Sequence, residues 1–471
     1  MEKNELEIKH SKLNMASYGS GSLAREFINM AFTASVFYYY ESAIGLEGWI
    51  VTLGYILFAI YNMFNDPLIG YITNRPFKFT KKWGRRFPWL MLGGIPWGFS
   101  YMMIYMPPVS DPVSGAWILF AWLLFTTCLF DTFHSIFFTS FMALFTEKYR
   151  SVKERRTASA IYIPIGVIGV ALGAILPPLF IKFIDEAPKN VVLDSYVIQG
   201  YWVVLIGLIA IFLAIPGLRD DKETTDRYLS TYKKNTEGES FFKSLKTALK
   251  QKSFITYMFI YTMYQAQITT MQNSIYYEVD YVLDMPATAA TLIFAGFLIG
   301  TVIATPFWLK YSRKVNDNKK VMMTAAVLLG IFTIPFLFLR IYIGIVILMI
   351  IWGTALGGFW FMIFPVMSDV IDESVVITGK REEGIYTGFS QFFGRLGIVA
   401  QAITFGLVHF FTGFAEGQAS QTEFAIFGIQ LHLGLIPAIF IFIGVLVFWK
   451  YYKLTPEQVK ANQEKIKEMG L

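Results

Sequence analysis

One cysteine, four histidines and a charged fraction of only 16% limit what these 471 residues can do. A lone thiol, Cys128, excludes an intramolecular disulfide and any multi-cysteine metal centre. The chain has no nucleotide-binding glycine loop, no Gly-x-Ser-x-Gly elbow and no His-Glu-x-x-His zinc helix. Nothing therefore points to an enzyme, and no cofactor or metal is expected beyond a coupling ion. The first dozen residues are polar and charged, with no basic segment leading into a short apolar stretch, so no cleaved signal is expected. The net charge of +6 is carried by loops and does not indicate a nucleic-acid partner. Nor does the pattern suggest a channel, which would show repeated pore-lining rings.

What is abundant is apolar surface: 55% hydrophobic and 17% aromatic residues, with a mean hydropathy of +0.49. One soluble core cannot hide that much apolar surface. Twelve stretches are long enough to cross ~30 Å of hydrocarbon: 19–42, 47–73, 88–107, 115–146, 157–184, 199–218, 253–282, 287–310, 321–340, 341–377, 384–412 and 424–452. The pattern predicts an all-α membrane protein. Tyr38, Tyr39, Tyr40 and Trp49 near the first hairpin, and Trp449, Tyr451 and Tyr452 at the last span, suit membrane–water interfaces.

Cations alternate between loops. Arg75, Lys78, Lys81, Lys82, Arg85 and Arg86 crowd one loop, and Lys148, Arg150, Lys153, Arg155 and Arg156 crowd the loop two spans later. The alternation continues through Lys243, Lys246, Lys250 and Lys252, then Arg313, Lys314, Lys319 and Lys320, then Lys380 and Arg381, while the intervening loops carry Glu47, Asp111, Asp284 and Glu416. The basic loops are thus expected on the cytoplasmic side of the cell membrane, with both termini in the cytoplasm.

Residues 219–252 form the one long polar interruption, and Ser240–Lys252 has the pattern of a short amphipathic surface helix. The expected organisation is a first six-helix bundle (1–218), a cytoplasmic linker (219–252), a second bundle (253–452) and a cytoplasmic tail (453–471). A weak repeat supports two halves: Pro67 then Arg75 in the second span, Pro306 then Arg313 in the eighth. Bundles repeated in this way are one of the recurrent transporter architectures.

The costly residues lie inside the spans. Asn62, Asn65 and Asp66 stand at i, i+3 and i+4, so their oxygens share one helix face. A charge at the bilayer centre costs about 2.5–3.5 kcal/mol on insertion scales and usually marks an ion or substrate path. Together these oxygens can replace the hydration shell of a small cation. Asp131 and His134 at i and i+3, with Ser135 one turn beyond Asp131, form a carboxylate–imidazole pair that suits substrate binding, proton transfer or a structural hydrogen bond. Tyr261, Tyr264, Gln265, Gln272 and Tyr276 form a polar–aromatic stripe suited to sugar rings or to helix packing. Gly166, Gly169 and Gly173 suit close helix packing. Asp369, Asp372, Arg381 and Glu383 read as a cytoplasmic gate held by ion pairs, or as solvated loop charge.

Asn65-Asp66-Pro67-Leu68-Ile69-Gly70-Tyr71-Ile72, Lys82-Trp83-Gly84-Arg85-Arg86-Phe87-Pro88-Trp89 and Ser368-Asp369-Val370-Ile371-Asp372-Glu373, followed by Thr378-Gly379-Lys380-Arg381-Glu382-Glu383-Gly384, resemble the glycoside–pentoside–hexuronide cation symporters of the major facilitator superfamily. The resemblance covers essentially the whole chain. It implies the major facilitator fold, alternating access, and sugar or glycoside transport coupled to Na+ or H+ across the lipid bilayer; a monomer is expected. It places the cation site on Asn62, Asn65, Asp66 and Thr132, with an amide at Asn62 where the family has an aspartate. The sugar-binding set falls on Arg25 and Glu26, with Asn29 one turn on, together with Trp360 and Arg395. Asp131, His134 and Gln391 complete the expected substrate set. The family's galactoside-gripping aspartate is matched by Ser135, and its arginine on the fifth span has no basic counterpart near Ile161–Ile163, so a melibiose-type pocket is not expected. Lysolipid-transporting relatives in the same broad group supply the alternative substrate class.

Overall fold

The computed structural model describes residues 9–469 apart from 74, 76, 150–151, 223–224, 227–228, 230–245, 247 and 380–382. Among the described residues there is no strand, and twelve long helices recur in chain order. They are α1 (Lys12–Tyr38), α2 (Gly48–Thr73), α3 (Phe87–Ile104), α4 (Ala116–Lys148), α5 (Val152–Ile175), α6 (Lys189–Leu218), α7 (Lys252–Tyr277), α8 (Ala290–Val315), α9 (Asn318–Thr333), α10 (Tyr342–Thr378), α11 (Glu383–Thr412) and α12. The last is composite, with α-helical Glu423–Gln430, π-helical Leu431–Leu435 and α-helical Ile436–Tyr451. An amphipathic helix, α13 (Pro456–Glu468), follows and packs on α10. Nine helices among the described residues are long and apolar enough to cross a membrane.

Local chemistry sets the helix ends. Ser11 caps α1 by accepting from Asn14 N (3.2 Å), Asp317 caps α9 by accepting from Lys320 N (3.0 Å), and Thr422 caps α12 by accepting from Ala425 N (3.2 Å). α10 stops at Gly379, whose φ of +70° suits a left-handed cap. Pro67, Pro96, Pro164, Pro216, Pro306 and Pro365 lie inside helices, as membrane helices tolerate when neighbours re-satisfy the freed carbonyls.

Two spans depart from the sequence expectation. The stretch expected at 157–184 is helical only to Ile175, because Pro177 and Pro178 convert the chain to a 3-10 turn over Pro177–Leu179. The next helix begins at Lys189, ten residues before the expected 199, because polar residues such as Asp194, Ser195 and Gln199 add turns that apolar counting leaves out. Tyr38, Tyr39 and Tyr40 are at most 1% exposed. Instead of facing outward they bond within the bundle, Tyr39 to Tyr105 O (3.1 Å) and Tyr40 to Ile104 O (2.8 Å). Trp49, Trp449 and Tyr451 are exposed as expected, whereas Tyr452 is buried. The amphipathic helix expected over 240–252 lies largely outside the described residues.

The chain forms two compact units. Unit 1 comprises residues 1–50 and 60–238; unit 2 comprises 51–59 and 239–471. In unit 1, α1 packs on α5 and α6, and α3 packs on α4. The α1–α5 contact depends on small residues: a Cβ on Gly169 would stand 2.4 Å from Leu23 O, and one on Gly173 2.4 Å from Phe27 O. In unit 2, α7 packs on α11 and α12, and α8 on α10.

Candidate functional site

The ionisable residues inside unit 1 meet where α1, α2 and α4 come together. Asp66 sits one residue before Pro67, whose missing N–H leaves the carbonyl of Met63 without its helical donor and makes this turn of α2 polar. The Ser135 hydroxyl, from α4, donates to Asp66 Oδ1. It also lies 3.3 Å from Asp131 Oδ2, which accepts from Asn65 Nδ2 at 3.3 Å. A serine thus bridges two carboxylates on different helices, and an amide supports the second. Asn65, Asp131 and Ser135 are buried, and Asp66 is half-buried.

His134 extends this cluster to α1. Its Nε2 accepts from Asn29 Nδ2 at 3.0 Å, which leaves the ring proton on Nδ1, 3.9 Å from Asp131 Oδ1. Trp97 (centroids 5.0 Å apart) and Phe138 (5.7 Å) bracket the ring. One turn before Asn29, Arg25 is ion-paired with Glu26 and lies 5.1 Å from the centre of the Phe138 ring. The Arg25–Glu26 pair, Asn29, His134, Asp131, Asn65 and Asp66 therefore form one polar seam through otherwise apolar helices.

Two expected cation ligands stand differently. Thr132 donates to Cys128 O (2.8 Å) and pairs with Tyr61 OH (2.7 Å), which lies 3.5 Å from Asn65 Oδ1. Thr132 therefore joins the cluster through Tyr61. Asn62 is fully buried, and neither side-chain polar atom has a hydrogen-bond partner. A buried amide in that condition costs about 1–3 kcal/mol, which a ligand accepting from it or donating to it recovers.

The expected residues of unit 2 form their own set. Trp360 on α10 donates its indole N–H to Tyr264 OH, and Tyr264 stacks on Phe359 with centroids 4.4 Å apart. A Cβ on Gly394 of α11 would lie 3.5 Å from both Gln265 Nε2 and Tyr261 Cε1, which places the stripe of α7 against α11 beside Arg395. Gln391 and Arg395 are half-buried on α11. Gln267, by contrast, turns into packing and donates to Thr333 Oγ1 at 2.9 Å.

Among the expected gate residues, Asp369 accepts from Asn318 Nδ2 at 2.9 Å, and Asp372 is half-buried on the same helix. Arg381 lies outside the described residues, as does the side chain of Glu383. The acid that organises this end is Glu373, which accepts from Gln251 Nε2 (2.6 Å) and from the Ser253 hydroxyl.

Sequence reading missed the network at the basic end of unit 1. Arg86 makes a two-pronged contact with Glu147, Nη2 to Oε1 at 2.8 Å and Nε to Oε2 at 3.3 Å, and Arg85 Nη1 reaches the same carboxylate at 3.1 Å. Asp220 Oδ2 accepts from the backbone N–H groups of Arg86 and Phe87, both at 2.9 Å, and so caps α3. Burial pushes the Asp220 carboxyl above its ordinary value, and those two N–H groups oppose the rise. His10 bridges Glu154 (Nδ1, 2.9 Å) and Asp221 (Nε2, 3.0 Å). The hydrogen bond to Asp221 raises the imidazole above its ordinary value, and the same bond lowers Asp221. The only sequence signal for this network was charge density, which does not pair acids with bases.

Twelve long helices among the described residues, with a buried carboxylate seam inside one unit, define a multi-pass membrane transporter. Residues 17–456 match the MFS/sugar transport protein family, and the chain belongs to it. It is similar to the isoprimeverose transporter of Lactiplantibacillus pentosus, with 21% identity over 95% of this chain and 91% of that one. It is also similar to sodium-dependent lysophosphatidylcholine symporter 1 of Gallus gallus, with 21% identity over 87% of this chain and 80% of that one. The crystal structure of the nucleoside transporter NupG has a like fold, with a TM-score of 0.61 and 12% identity over 94% of this chain and 98% of that one.

Proposed function

We propose that this protein is a secondary active transporter that carries a sugar or glycoside in symport with Na+ or H+ by alternating access. It acts in the cell membrane as a monomer, with both termini and the 219–252 linker in the cytoplasm and bundles at 1–218 and 253–452. The observation that carries this reading is the Ser135 bridge between Asp66 and Asp131. Asn62 removes one carboxylate from the α2 set, and Asp131 on α4 returns one to the same cluster through Ser135. Two carboxylates with amide and hydroxyl oxygens make a hard-oxygen set suited to Na+. The Asp131–His134 pair is equally suited to carrying a proton.

Asn65 and Asp66 hold the cation, with Thr132 and Asn62 completing the shell. Arg25, Glu26, Asn29, Asp131 and His134 bind the sugar. Trp360, Gln391 and Arg395 belong to the same substrate set, and Trp360 and Tyr264 supply an aromatic face for a pyranose ring. Asp369, Asp372, Arg381 and Glu383 act in the cytoplasmic gate. Cation binding biases which gate opens, because a ligand shifts an equilibrium only by its differential affinity for the two states.

A lysolipid is the second substrate reading, supported by the similarity to the Gallus gallus symporter. A thermal-shift screen separates the two: purified protein is heated with glycosides, uronates or lysophosphatidylcholine, each in Na+ or choline at several pH values. Cation-dependent stabilisation by a glycoside or uronate supports the sugar reading. Stabilisation by lysophosphatidylcholine alone replaces it with the lipid reading.

A further inference from the structure

Glu278, in the π-helical turn Glu278–Val282 that continues α7, is 1% exposed, and neither carboxylate oxygen has a hydrogen-bond partner. One helical turn earlier, on the same face, Ser274 Oγ lies 2.7 Å from His432 Nδ1. His432 Nε2 in turn lies 3.2 Å from His409 Nε2. His432 belongs to a second π-helical turn, Leu431–Leu435 in α12. Both π turns pack in this part of unit 2, and such turns frequently occur at functional sites.

The histidines are enclosed by rings. Phe405 stacks on His432 with centroids 4.3 Å apart, Phe414 stacks on His409 at 4.2 Å, and Tyr277 meets both edge-on or tilted. The other charged groups at this end are Arg340, whose charge acts on Glu278, and Asp280, two residues along. Arg340 is held by Glu423 (3.2 Å) and Gln430 (3.1 Å), and the Ala287–Ala289 turn packed here brings no charge.

We propose that this end of unit 2 is a second proton-binding site, with Glu278 as the acid and the Ser274–His432–His409 chain as its route of proton exchange. An ionised carboxylate buried without a donor costs several kcal/mol, whereas a protonated one does not carry that charge. The chain has two hydrogen-bond arrangements of opposite direction, with the His409 proton on Nδ1 in the first and on Nε2 in the second. In one, the Ser274 hydroxyl donates to His432 Nδ1, and His432 Nε2–H donates to His409. In the other, Ser274 donates to Thr270 O (2.7 Å) and accepts from His432 Nδ1–H, while His409 Nε2–H donates to His432. The first arrangement becomes the second when the Glu278 carboxyl turns back one helical turn and gives its proton to Ser274 Oγ, Ser274 passes its own to His432 Nδ1, His432 passes its Nε2 proton to His409 Nε2, and His409 releases its Nδ1 proton, so that one proton leaves for each that enters. The site shares no residue with the Asp66 cluster and does not depend on the substrate.

Infrared difference spectroscopy of the purified full chain tests this. The carbonyl band of a protonated carboxylic acid should be present at neutral pH, persist in Asp66→Asn, vanish in Glu278→Gln and shift in frequency in Glu278→Asp. Its deuterium exchange should slow at least several-fold in both His432→Phe and His409→Phe. A band untouched by Glu278→Gln and Glu278→Asp overturns the assignment of the acid. An exchange rate unchanged in both histidine variants overturns the route.

Discussion

Ser135 and Asp66, sixty-nine residues apart on α4 and α2, share a hydrogen bond in which the serine hydroxyl donates to the carboxylate. The serine's contact is thus with the acid of the neighbouring helix. Removing the hydroxyl in Ser135→Ala withdraws a hydrogen bond to a charged group, worth about 1.5–3 kcal/mol. Cation-dependent stabilisation or uptake should then need a roughly ten- to hundred-fold higher cation concentration. An unchanged cation dependence would show that the bridge is only structural.

The α1–α5 contact gives a stability prediction. A Cβ on Gly169 would stand 2.4 Å from Leu23 O, and backbone cannot yield as a flexible side chain can. Gly169→Val should destabilise the purified protein by about 1–3 kcal/mol through overpacking, read as a lower melting temperature. Gly70→Ala, whose Cβ meets nothing within 4 Å, should leave melting nearly unchanged.

Gly84 makes a sharper case, because two independent constraints act on it. Its φ is +93°, and a Cβ there would lie 2.3 Å from Asp220 Oδ2, the oxygen that caps α3. Gly84→Ala should cost about 1–3 kcal/mol from the backbone alone and more through the displaced cap. Melting of Gly84→Ala, Asp220→Asn and the double variant should be non-additive. Strict additivity would mean the two residues do not share one structure.

The His10 tie predicts a pH dependence of opposite sign at its two ends. The imidazole is raised in the folded protein, so its stabilising contribution is full below its ordinary value of 6.5 and is lost as pH rises through the higher folded value. Asp221 is lowered, so its contribution is full above its ordinary value of 3.8 and is lost as pH falls through the lower folded value. The melting difference between the wild type and His10→Gln should therefore be largest between those two values and shrink on the alkaline side. A difference that grows with alkaline pH contradicts the assignment.

Most of the fold was legible because twelve apolar runs leave few alternatives in a bilayer, and the boundaries slipped where proline or polar turns interrupt hydropathy, as at Pro177 and around Gln199. The face shared by Asn65 and Asp66 was readable from helical spacing alone. The partner was not: nothing in the sequence says that Ser135 turns toward Asp66, or that Asp131 serves the same cluster. Glu278, His409 and His432 were missed because they stand on separate stretches of the sequence with no shared spacing, and only packing of α7, α11 and α12 relates them. The pairing of Arg86 with Glu147 was hidden in the same way, since two helices separate them.

In the proposed transport cycle Asp66 binds the coupling cation. Uptake of a panel of labelled glycosides into proteoliposomes, with an imposed inward Na+ or H+ gradient, tests it most directly when wild type and Asp66→Ala are compared. Wild type should concentrate a glycoside under one gradient, while Asp66→Ala should lose accumulation and keep exchange of internal for external sugar. Concentrative uptake by Asp66→Ala at the wild-type level would contradict the account.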